Sequence, residues 1–192
     1  MKKILFLIPV IAMFAMSCNN SGDSKSSDNK DSVKAEPRFA SATEYNAFII
    51  GEQTKIINTI LDLSASFEKD EEKVIRDKYA AFGKQTNLSL EEVKKLEAYN
   101  GNTEFREAAI KLFGFYKEIY DKDYKTLIDI VCLKDKATKK DLKKLDKIVE
   151  DVTLKEKEFD SLFASAQNKF AAQNNMKIKK NEIQDKIDNM GN

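Results

Sequence analysis

Residues 139–174, KKDLKKLDKIVEDVTLKEKEFDSLFASAQNKFAAQN, read as one long amphipathic helix and set the expected fold class. Leu142, Leu145, Val149, Val152, Phe159, Phe163, Ala166 and Phe170 recur at alternating steps of three and four, with Glu156 the one charged member of the row. That is heptad spacing, the period at which one helix keeps a single seam against a neighbour. Thr138 and Asp141 open the segment, and a helix of this length reaches roughly 54 Å. Ile148 and Leu162 beside the seam imply a broader buried face than a two-stranded coiled coil needs. A monomeric bundle is therefore expected, with a coiled-coil oligomer as the alternative.

The segments upstream carry the same period. Ser41 with Glu44 three residues on has the capping-box pattern. Tyr45, Phe48, Ile49, Ile56, Ile60, Leu63 and Phe67 then recur at threes and fours. The charge run at 70–73 either breaks this helix or is one solvated turn of it, and Val74, Ile75, Tyr79 and Phe82 continue the pattern to Gly83. Ser89 and Glu92 suggest a second cap opening a short helix that Asn100-Gly101 stops. Thr103 begins a long helix with Ala109, Leu112, Phe113, Tyr116, Ile119, Tyr120, Leu127, Ile130 and Val131 inward. The expectation is an all-α, up-down antiparallel helical bundle of three long helices plus one or two short ones.

Composition agrees and excludes several functions. The 192 residues are 42% hydrophobic and 34% charged, with 6 Gly and 2 Pro, too apolar for a disordered chain and too poor in turn residues for many short strands. There is no histidine, which removes the commonest general base and transition-metal ligand. Only Arg38, Arg76 and Arg106 are arginine, leaving little for forked phosphate recognition, so no nucleic-acid partner is expected. The formal net charge is +1, and removing Lys2 and Lys3 would bring it to about −1.

The N-terminus reads as an address. Lys2 and Lys3 precede an apolar run over residues 4–15, too short to span a bilayer comfortably. Ala15-Met16-Ser17-Cys18 then places small residues at −3 and −1 before a cysteine, and resembles the lipobox of bacterial lipoproteins. Leu is commonest at −3 in that motif, so Ala15 is a departure from it. The resemblance implies a signal peptide over 1–17 and lipidation of Cys18, which would become the mature N-terminus. Residues 19–36, NNSGDSKSSDNKDSVKAE, are polar with Val33 the only bulky apolar side chain, so 18–37 reads as a lipidated cysteine and flexible tether. Such a coil spans on the order of 25 Å. The bundle domain is expected over 38–175. A partly helical tail over 176–192 follows, with Ile183, Ile187 and Met190 at helical spacing. Asn19 differs from the Asp that resembles an inner-membrane retention signal, and Asp23, Asp28 and Asp31 resemble surface-export signals of Bacteroidetes lipoproteins.

Few residues invite chemistry. Cys132 is the one thiol left if Cys18 carries lipid, and with no histidine to activate it, it reads as a small apolar residue. Glu52, Asp123 and Glu156 fall on or beside apolar stripes and read as register pins. A histidine-dependent di-iron site cannot form, and no calcium-loop spacing is present. The lysines between 134 and 147 are matched in sequence by nearby acids and read as a solvated face. No catalytic residue, cofactor or metal is expected, and the protein is not expected to be an enzyme.

Phe159-Asp-Ser-Leu-Phe163-Ala-Ser-Ala166-Gln167-Asn168-Lys-Phe170-Ala-Ala-Gln-Asn174 resembles the C-terminal helix of small all-helical surface lipoproteins of spirochaetes and Bacteroidetes. That family has no assigned activity. The resemblance implies an outer-membrane, surface-exposed location and a helical fold. Gln167 and Asn168 are read as capping or inter-helix hydrogen-bonding groups. The expected function is a lipid-anchored, non-enzymatic interaction module, membrane-bound through its anchor, with a protein or glycan partner. The alternative is a carrier or sensor of a small apolar ligand held between aromatic stripes.

Overall fold

In the computed structural model, residues 38–178 are described. The expected signal peptide, Cys18, the tether and most of the C-terminal tail lie outside them. Among the described residues five α-helices make four antiparallel legs: α1 (Ala42–Ser66), α2 (Glu72–Lys94), α3 (Glu104–Ile119) continued by a π-helical turn (Tyr120–Tyr124) into α4 (Lys125–Cys132), and α5 (Lys139–Gln173). The fold is the expected all-α antiparallel bundle, with the first stripe divided into two legs.

The division has a local cause. Near the end of α1 the hydroxyls of Ser64 and Ser66 donate back to the carbonyls of Ile60 and Leu63, competing with the next turn of helix. The chain then reverses over residues 67–71, where Asp70 accepts from Lys78 Nζ at 3.0 Å.

From there α2 runs on through both Gly83 and Ser89, so the separate short helix expected at Ser89 does not exist. Ser89 is buried, and its hydroxyl donates to Glu52 Oε2 on α1 at 2.7 Å instead of capping. Gly83 is a packing position: a Cβ there would overlap the ring of Tyr120. The real stop is Asn100-Gly101. Both residues have positive φ, and Asn102 N–H donates to Tyr99 O at 2.9 Å, a tight reversal for which Asn-Gly is suited.

The caps at Ser41 and Thr138 form. Ser41 Oγ accepts from Glu44 N–H, and Thr138 with Asp141 makes a reciprocal capping box. α5 ends with Asn175 at φ 52, while Asn175 and Met176 N–H donate to Ala172 and Ala171 carbonyls. These bonds make a Schellman turn, which satisfies carbonyls that the helix end would leave open.

α1 packs chiefly on α2, and α3 on both α2 and α5. The heptad row of α5 is turned into the bundle, with Leu145, Val152, Glu156, Phe163 and Phe170 buried. Leu142 at its head is exposed. So is Leu162, contrary to the wider face expected, because α5 meets neighbours on one side only. No helix among the described residues is long and apolar enough to cross a membrane.

Candidate functional site

The least compensated polar group in the interior lies on α5. Glu156 and Asp160, one turn apart, are only 3% and 8% exposed. Both lie within electrostatic reach of the buried phenol of Tyr116 on α3, and Glu156 also of Tyr124 at the end of the π-helical turn. Glu156 Oε2 and both carboxyl oxygens of Asp160 have no hydrogen-bond partner among the described residues. A carboxylate cannot keep its charge cheaply in such surroundings. Burial, reinforced by Asp160, pushes the pKa of Glu156 well above the usual range. Burial alone brings Asp160 to about 7. The two phenols are pushed up as well, first by burial and then by the neighbouring carboxyls. Chemically the cluster stores protons. No group of three or more His, Cys, Asp or Glu fit to hold a metal occurs among the described residues.

The residues singled out in the sequence are not brought together. Glu52 sits between α1 and α2, where it accepts from Ser89 and pairs with Lys55 Nζ at 2.5 Å. Asp123 is half-buried within the π-helical turn, and Glu156 belongs to the α5 cluster. Cys132 closes α4 half-buried, its thiol pKa raised by burial against an opposing pull from Arg76. Gln167 is buried and donates to Asn46 Oδ1 on α1 at 2.9 Å, while Asn168 faces solvent. Asp160 is not marked out by the apolar spacing of α5. The signal was its position four residues beyond Glu156, between Phe159 and Phe163.

The two ends of the bundle differ. At one end the described chain enters at Arg38 and leaves after Met176. Arg38 pairs with Glu92 at 3.2 Å and lies over the ring of Phe48 at 4.6 Å. An open polar cleft of about 580 Å³ lies at this end, lined by Tyr99, Asn100, Asn102, Glu104 and Gln173. Asn102 Nδ2 donates to Gln173 Oε1 across it at 2.5 Å.

The opposite end, about 37 Å away along the 25 residues of α1, holds the α1–α2 turn and the link from α4 into α5. There Lys136, Lys139, Lys140, Lys143, Lys144 and Lys147 are exposed and make no ion pair among the described residues. On other helices, Lys73, Lys78, Lys94, Lys95, Lys117 and Lys122 each meet a carboxylate within 3.2 Å, while Lys84, Lys111 and Lys125 stand singly, exposed and without an ion pair among the described residues. Asp141 lies within electrostatic reach of Lys140 and Lys144, but none of the six lysines from Lys136 to Lys147 makes a direct ion pair among the described residues.

No protein family, curated protein or solved structure was found to match this chain.

Proposed function

We propose that this protein is a lipid-anchored lipoprotein of the bacterial outer membrane, exposed at the cell surface, whose helical domain is a non-enzymatic interaction module. The observation that carries the reading is the polarity of the bundle. The chain enters the domain at the Arg38 end, while the cluster of exposed lysines from Lys136 to Lys147 occupies the other end. A tether ending at Arg38 holds that end towards the membrane and presents the other away from it. The buried carboxyls favour the same reading, because groups sealed on the inner face of α5 beside Tyr116 of α3 are out of a substrate's reach.

The alternative, carriage of a small apolar molecule, would require the aromatic stripe to open. Phe105 lies 5.3 Å from Phe163 and 5.4 Å from Phe170, and Phe115 stacks on Phe159 at 4.9 Å, so these rings occupy one another's faces.

The test is Cys18→Ser in the protein's own host. Wild type should partition with the outer membrane and lose its domain to protease added to intact cells. The variant should leave the membrane fraction. Retention of the Ser variant in the membrane would overturn the anchor, and protection of wild type from protease would overturn surface exposure.

A further inference from the structure

We infer that the outward face of the first turns of α5 is a docking surface for an anionic polysaccharide, held by lysine ammonium groups. The inference rests on reading the domain as a tethered interaction module and names its partner class.

At 100° per residue, Lys139, Lys140, Lys143, Lys144 and Lys147 fall within one arc of roughly 140° and along roughly 12 Å of helix. All five are exposed, and the buried residues Leu145 and Val152 lie on the opposite side. Within this stretch the arc holds nothing but lysine. Residues 134–147 contain seven lysines against three aspartates in a chain whose net charge is +1, so the charge is local. One of those aspartates, Asp141, is engaged by the Thr138 cap and lies within electrostatic reach of Lys140 and Lys144, and Glu150 and Asp151 close the strip.

The stability of the fold does not call for this pattern. The first turns of a helix favour acids, because the backbone N–H groups there carry partial positive charge. Lysines stacked at three- and four-residue spacing also repel one another. Asp141, Asp146, Glu150 and Asp151, three or four residues from lysines of the arc, offset part of this repulsion, and an excess of lysine is left facing outward.

The chemistry narrows the partner. Lysine offers hydrated point charges without arginine's planar fork, which suits repeated, loosely positioned anionic groups better than a single bidentate site. A membrane surface draws amphipathic helices through inserted apolar side chains, and this arc has none. Protein interfaces are usually anchored by Trp, Tyr or Arg, which are also missing from it. A flexible polymer bearing regularly spaced carboxylates satisfies the arc with many weak contacts.

The test uses the full chain in non-ionic detergent, with immobilised polygalacturonate as the probe and neutral dextran as the control. Wild type should bind polygalacturonate at low salt, release it as salt rises, and ignore dextran. The variant K140Q/K143Q/K144Q/K147Q should bind about tenfold more weakly or worse. A charge-matched variant, K73Q/K94Q/K95Q/K117Q, removes ion-paired lysines elsewhere and should bind like wild type. Thermal melting confirms that both variants fold. Equal weakening in the two variants, or no binding by wild type, would overturn the inference. Tighter, arc-dependent binding to phosphatidylglycerol vesicles would reassign the surface to lipid. None of these outcomes touches the anchor, which is tested separately by fractionation of the Cys18→Ser protein.

Discussion

Asp160 is nearly sealed from solvent, and neither carboxyl oxygen has a partner among the described residues. Its pKa rises from 3.8 to about 7 because burial penalises the charged form. The folded protein therefore keeps a proton that the unfolded chain has already released. The stability linked to that proton is full below about 3.8, drains as pH climbs, and is gone above about 7. A shift of this size corresponds to something on the order of 4 kcal/mol. Glu156 is shifted in the same direction and adds to the slope. Urea unfolding of wild type should accordingly show stability falling between pH 4 and pH 7. Asp160→Asn should remove part of that fall, so that the variant gains on wild type as pH rises. An unchanged slope would show that Asp160 is not the group being titrated. Cys132 offers the opposite lesson: with its thiol pKa raised, it behaves as packing, as its apolar neighbours in sequence suggested.

Among the elements, the π-helical turn explains the most. The inward row of α3 and α4 steps five residues from Ile119 to Tyr124, one more than an α-helical turn allows. The wider turn absorbs the extra residue and keeps both helices facing the core. It also offers the carbonyl of Tyr120 to the hydroxyl of Tyr79, which donates to it at 2.7 Å. The Tyr120 ring then lies across α2, 4.6 Å from Tyr79, where Gly83 leaves room for it. Gly83→Ala should push the ring away and lower stability by about 1–3 kcal/mol, the usual cost of overpacking. An unchanged urea midpoint would show that the ring relocates freely. The element boundaries that were legible in the sequence, Ser41 and Thr138, depend on atoms three residues apart. Ser89 was misleading because its pattern is equally local, while its hydroxyl answers to a carboxylate on another helix.

For the molecule as a whole, the buried heptad row decides the oligomeric expectation. Leu145, Val152, Phe163 and Phe170 are covered by the chain's own helices, leaving Leu142, Leu154 and Leu162 as scattered exposed side chains on α5. A chain lacking residues 1–36 should therefore sediment as a monomer, and a stable dimer or trimer would show that α5 has a second partner face. The sequence by itself determined the helical class, the main buried stripes, the two caps and the Asn-Gly reversal. These follow from side-chain period and short-range hydrogen bonding, which act within a few residues. Only the tertiary structure decided that Gly83 and Ser89 belong to one helix, that Asp160 is stranded beside Glu156, and that the lysines of the first turns of α5 make no direct ion pair among the described residues. Those outcomes depend on contacts between residues far apart in the chain, such as the 37 positions separating Ser89 from Glu52 and the 121 separating Gln167 from Asn46. Whether a polar group is compensated is a property of the neighbours that folding supplies, and a one-dimensional pattern does not contain them.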